Sequence, residues 1–262
     1  MDPLRCLAAA LTTMLLSASL ASANPFIVPD KTTADVYGWS PDGRYVAFVE
    51  TTVLDSSSGA VHSELNIVDS ATNTLLNNYS LESEPANGLV NEQELYQRTV
   101  RGVLEKGGGR LAELRIAYNR PGTVLWQSKL QKAQTMSKLA TAADTQQTFK
   151  VLVHDRTWTF RLSTFDYAVN SVCPTNGAAY PARGLVLSVS AVMPLNTVMI
   201  TTLQKDGAAL PATRQCAEIY RPTEVRVQGN YMSVLLAVTH PSGSNGYNTV
   251  NYMLVTGIRP TR

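Results

Sequence analysis

Charged residues make up only 16% of this 262-residue chain, yet four carboxylates fall close together at Glu50, Asp55, Glu64 and Asp69. If the segment folds back on itself, Glu50 and Glu64 come side by side on adjacent strands, where like charges repel unless a cation or base compensates. Two chemistries answer that repulsion. Oxygen ligands from Glu50, Asp55 and Glu64 suit calcium. Alternatively the acids are solvated strand ends paired to Arg44 or other bases, and this plainer reading is favoured. The three histidines, His62, His154 and His240, are too far apart to give zinc-ligand spacing on one element. His154-Asp155 has the make-up of a hydrolase base and its orienting acid, but no G-x-S-x-G elbow accompanies it, so a strand-end His beside a turn Asp is the simpler account. Lys106 followed by Gly107-Gly108-Gly109 suggests a phosphate cradle. It lacks the preceding strand and the following Lys-Ser/Thr pair, and a hinge between helices is expected instead. Trp39, Tyr45, Trp126, Trp158 and Tyr231 could line a binding cleft, although strand aromatics more often fill a core. No residue is assigned to catalysis and no cofactor is expected.

The elements that must position these residues are mostly strands. Residues 36–39 and 45–53 read as strands joined by the turn Ser40-Pro41-Asp42-Gly43, in which Pro presets φ, Asp bonds nearby amides and Gly tolerates positive φ. Residues 63–69 and 74–81 continue a small antiparallel sheet. The period then changes. Asn91 with Glu94 three residues on makes a capping box, and Tyr96, Val100, Val103 and Leu104 follow a helical period, so the helical segment spans about 91–119, broken at the glycine triplet. Residues 131–148 show no period and read as a linker. Hairpins are expected at 149–154 with 157–165 and at 184–192 with 197–203, followed by strands at 223–228, 231–239 and 248–256. The fold class is mainly β, with antiparallel sheets in a sandwich or blade-like arrangement and a central α-helical insertion; by strict count it is α+β. No fixed-length repeat supports a complete propeller.

The N-terminus sets the compartment. Arg5, an apolar stretch over residues 6–16 too short for a permanent span, and Ala21-Ser22-Ala23 before Asn24-Pro25 make a cleavable secretory signal. The expected organisation is a signal peptide at 1–23 and a single secreted β-rich domain at 24–262. Cleavage removes Cys6 and leaves Cys173 and Cys216, 43 positions apart, in a compartment that permits disulfides, so they are expected to pair. In the chain-entropy model that bridge contributes about 4 kcal/mol. A net charge of +2 without basic blocks leaves no footprint for nucleic acid, and no second apolar run reaches membrane-spanning length.

Residues 38–48, Gly-Trp-Ser-Pro-Asp-Gly-Arg-Tyr-Val-Ala-Phe, then Glu50, Val53, Asp55 and Ser63-Glu64-Leu65 through Asp69, resemble a bacterial family of predicted secreted proteins, domain of unknown function 2259. The likeness continues through Cys173-Pro174, Leu210-Pro211 before Arg214-Gln215-Cys216, Tyr220 with Val225, and the closing strands. The chain departs from that pattern at Val49, at Ser56-Ser57-Ser58 and near His62. The resemblance implies a periplasmic or secreted bacterial protein and supplies no mechanism. The functional expectation is a non-enzymatic interaction or envelope-associated module, whose partner is a protein or small polar ligand of the cell envelope. The alternatives are a hydrolase-type enzyme with an unidentified site and a carbohydrate- or peptide-binding domain.

Overall fold

A computed structural model describes residues 31–54, 59–85, 91–128, 145–153, 156–167, 172–175, 178–192, 197–211, 214, 216–240 and 249–260. Strands β1 (Lys31–Trp39), β2 (Tyr45–Val53), β3 (Val61–Asp69) and β4 (Thr74–Ser83) form the first sheet, antiparallel and in chain order. The β1–β2 turn uses the chemistry that its sequence implies. Asp42 Oδ1 accepts from the Ser40 hydroxyl at 2.6 Å and the Arg44 amide at 3.0 Å, and Gly43 takes φ 76°.

Helix α1 (Glu92–Glu113) packs on one face of this sheet, against Ala47, Val49, Leu65 and Ile67. Asn91 caps it, its side chain accepting from the Gln93 amide at 3.0 Å, with Glu92 and Glu94 at the positive end of the dipole and Arg110 at the negative end. The helix does not break at the glycine triplet as the sequence suggested. Its buried line, Leu95, Thr99, Val103, Gly107 and Leu111, advances four residues at a time, and a Cβ on Gly107 would run into Leu65 and Tyr79. Gly107 is therefore a point of close helix–sheet approach, not a hinge. The helix ends instead at Arg115, which takes φ 55° while Ile116 N–H reaches Leu111 O and Arg115 N–H reaches Ala112 O, a Schellman closure without glycine. One helix thus replaces the expected pair.

Two further four-stranded antiparallel sheets follow. The middle sheet has the order β14-β13-β12-β5, from β5 (Thr123–Gln127), β12 (Ile219–Gln228), β13 (Tyr231–His240) and β14 (Thr249–Ile258). The outer sheet has the order β11-β10-β7-β6, from β6 (Gln146–Val153), β7 (Arg156–Asp166), β10 (Arg183–Val192) and β11 (Val198–Lys205). A two-stranded ribbon pairs β8 (Val172–Thr175) with β9 (Ala178–Pro181). β13 is buried on both faces, which explains its unbroken run Val234-Leu235-Leu236-Ala237-Val238. One face meets the first sheet through Leu235 beside Phe48, Val46 and Val68. The other meets the outer sheet through Val234, Leu236 and Val238 beside Phe160, Leu187 and Val189. The layers run helix, first sheet, middle sheet, outer sheet. Strand β5 and the opening residues of β1 and β6 escaped the sequence reading, and the expected linker ends earlier than anticipated, at the start of β6.

Candidate functional site

The hairpin of β2 and β3 places Glu50 directly opposite Glu64, as their spacing predicts. Asp55 lies outside the described residues, and among the described residues no group of three or more His, Cys, Asp or Glu side chains could hold a metal ion. The first carboxylate is turned inward. Glu50 Oε2 accepts the backbone N–H of Tyr252 on β14 at 3.1 Å, and burial, with Glu64 as a like-charged neighbour, pushes its pKa up to about 8. It is a neutral carboxyl at neutral pH. Glu64 is occupied on both oxygens, by His62 Nε2 at 3.2 Å and Asn78 Nδ2 at 3.1 Å, and Asn78 also donates to Asn66. His62 in turn lies 3.8 Å from Glu82. Asp69 pairs with Arg44 at 3.1 Å, the base that the sequence offered. Two adjacent carboxyls of which one is neutral are the raw material of glycoside hydrolysis. Here, however, the neutral one is spent on a strand edge.

That edge has a second partner. Asn73, held at φ 55° in the β3–β4 turn, uses Oδ1 to accept the Thr256 N–H of β14 at 2.8 Å and its hydroxyl at 3.1 Å. An edge strand exposes alternate N–H groups, and Glu50 and Asn73 take two of them, at Tyr252 and Thr256, tying the first sheet to the middle one. Asn73 Nδ2 also donates to Gln204 Oε1 at 2.5 Å, and Gln204 donates to Asp206 at 2.7 Å. Asp206 receives both Arg214 Nη1 and Nη2 at 2.7 Å and the Leu185 N–H at 2.7 Å. Burial alone would raise the Asp206 pKa, but the bonds from Arg214, Leu185 and Gln204 outweigh it and hold it below the ordinary carboxylate value. Arg214 reaches Tyr220, whose hydroxyl donates to Arg183 O at 2.8 Å and whose pKa burial raises to about 12. This chain of polar groups joins all three sheets. Sequence reading missed it because its members are scattered between Asn73 and Tyr220; Arg214 and Tyr220 stood in the quoted motifs, but nothing local linked them to Asn73, Gln204 or Asp206.

The other candidates resolve separately. His154 and Asp155 lie outside the described residues. His240 is half-buried, its Nε2 has no hydrogen-bond partner among the described residues, and burial lowers its pKa. The aromatics do not form a cleft. Trp39 and Trp158 are core, Trp126 stacks on Phe149 with centroids 4.6 Å apart, and Tyr45 and Tyr231 pack against the two clusters flanking the first sheet. Cys216 is half-buried and partnered, while the Cys173 side chain lies outside the described residues.

The accessible feature is the face of the outer sheet turned away from the core. Leu152, Val192, Val198 and Ile200 are 72%, 55%, 57% and 69% exposed. Leu152 pairs with Thr157 and Val198 with Val192, so these residues run as a row across the four strands, with Ile200 one row behind.

Among the described residues, fold and face together define a layered antiparallel β protein with one covering helix and an exposed aliphatic row on the outer sheet. Residues 47–258 match the family model described as predicted secreted protein, domain of unknown function 2259, and the chain belongs to that family. No curated protein and no solved structure matches it. Among the described residues no helix is long and apolar enough to cross a membrane.

Proposed function

We propose that this secreted protein is a non-enzymatic interaction module of the cell envelope or its surroundings, exported by the signal at residues 1–23, and that the bare face of the outer sheet is its working surface. The observation that carries the reading is the exposed row Leu152, Val192 and Val198 with Ile200 behind it. Soluble proteins rarely leave clustered aliphatics of this kind facing water without a use for them. Support also comes from Glu50 and Asn73, whose carboxyl and amide groups are of kinds that enzymes employ and are engaged in joining layers.

The test is site-specific photo-crosslinking in the native compartment. A photoreactive residue at Ile200 should give adducts with an envelope component, while one at Tyr118, 75% exposed on the segment following α1, should give none. Equal labelling from both positions, or none from Ile200, would end the proposal. We further propose the Cys173–Cys216 pairing. It is supported by the even cysteine count after signal removal and by the partnered state of Cys216.

A further inference from the structure

We infer that the partner of this face is a carboxylate-bearing polysaccharide laid across the middle of the four strands; the inference rests on the interaction reading above. Cross-strand register lines up one polar side chain per strand, Thr148 on β6, Arg161 on β7, Ser188 on β10 and Thr202 on β11. All four take outward positions, and among the described residues no side-chain hydrogen bond or ion pair engages any of them. The Ser190 hydroxyl, one row nearer the aliphatics, is by contrast spent on Thr159 O at 3.3 Å. Lys150 and Lys205 stand one row to either side. With Arg161 they are the charged residues in outward positions on these strands, all cations, and no ion pair among the described residues engages them. The acids Asp166 and Asp206, where β7 and β11 end, are paired with Arg183 and Arg214.

Two rows beyond Arg161 the same face carries an aromatic edge. Phe165 is 37% exposed and its ring centroid lies 5.4 Å from that of Tyr167. Both rings fold over Gly184, where an added Cβ would come within 2.6 Å of Phe165 and 2.8 Å of Tyr167. The Tyr167 hydroxyl donates to Gly207 O at 2.7 Å and holds that ring in place. Neighbouring strands stand about 4.8 Å apart, close to the advance per ring of an extended sugar chain, so a chain laid along the row meets one polar side chain per sugar. Serine and threonine hydroxyls both donate and accept, as sugar hydroxyls require. The planar fork of Arg161 takes a carboxylate in two parallel bonds, with lysine charge on either side. An acidic polypeptide would satisfy the cations but has no use for a hydroxyl on each of the other strands.

The experiment is fluorescence anisotropy of labelled oligogalacturonate with the exported protein, its mature N-terminus verified by mass, and with polyglutamate and neutral dextran for comparison. Oligogalacturonate should bind with an affinity that rises to about four sugar units and then levels off, one per strand. Dextran should not bind, and polyglutamate should bind about tenfold more weakly. Arg161→Gln and Lys205→Gln should each weaken oligogalacturonate about fivefold, and Arg101→Gln, on helix α1 in the opposite layer, by less than about twofold. Thr148→Val with Thr202→Val keeps shape and charge in exposed strand positions, so the fold should survive; it should weaken oligogalacturonate about fivefold and leave polyglutamate unchanged. No binding of oligogalacturonate, equal binding of polyglutamate, or an equal loss from Arg101→Gln would each overturn the assignment. Equal binding of polyglutamate would give the face to an acidic polypeptide. Protein adducts from Ile200 in the crosslinking experiment without sugar binding would remove the polysaccharide and leave the interaction reading standing, whereas absence of both would remove both.

Discussion

Glu50 sits one hydrogen bond from β14 and directly across from Glu64, and its titration is the most accessible consequence of the packing. In the unfolded chain it ionises near 4.5, whereas in the folded protein it stays protonated to about 8. The unfolded state therefore releases its proton first. Stability is greatest below the unfolded value, falls as pH rises through the window between the two, and levels off above the folded one. At about 1.4 kcal/mol for each pH unit of that window, the fall amounts to several kcal/mol. Glu50→Gln keeps an acceptor for Tyr252 and cannot ionise, so urea unfolding across that window should lose most of its pH dependence. The same variant tests the calcium reading, because a carboxylate ligand would make wild-type stability rise with added calcium and the Gln variant insensitive; we expect neither protein to respond. The Asp206–Arg214 pair makes the opposite demand. Asp206→Asn leaves a buried guanidinium uncompensated and should cost about 3–5 kcal/mol. The facing of Glu50 and Glu64 was legible from spacing alone. The neutral state of Glu50 was not, because it depends on a strand that lies two hundred residues downstream.

Helix α1 and the β3–β4 turn show where local sequence speaks clearly and where it misleads. Asn91 with Glu94 marked the helix start correctly because capping is a local event. The glycine triplet misled because glycine weakens a helix locally, whereas here tertiary packing uses the missing Cβ of Gly107 against Leu65. Its position four residues after Val103 and four before Leu111 was the signal that it belonged to the buried line. Gly107→Ala should therefore destabilise the protein by about 1–3 kcal/mol, the usual overpacking cost, even though alanine is the better helix former. Gly109→Ala, with nothing near its added methyl, should stabilise it by up to about 1 kcal/mol. Thermal unfolding of the two variants gives opposite signs on this account and the same sign if the triplet is a hinge. At the turn, Asn73→Gly preserves the left-handed backbone and removes the side chain. It should still cost about 1–3 kcal/mol because the Thr256 N–H loses its acceptor.

For the whole molecule, the strand-rich class could be read from alternation, since most strands present one face to a core. The stacking of three sheets could not, because it requires knowing that β13 is buried twice. Its continuous apolar run is the trace this left in the sequence. The outer sheet's bare face was equally hidden, as Val198 and Ile200 look like any half-buried strand until register shows which side they take. At this scale the disulfide also has its test. Intact mass under non-reducing conditions, with and without alkylation, should find no free thiol in the exported chain. Two alkylated cysteines would contradict the pairing.

The interaction face is the central claim, and cell fractionation of the exported protein carrying Val198→Asp and Ile200→Asp together tests it most directly. Both positions are exposed, so the folded state should survive with a stability change within about 1 kcal/mol. Wild-type protein should sediment with envelope material and the folded double variant should remain free. A folded variant that fractionates like the wild type would contradict the account.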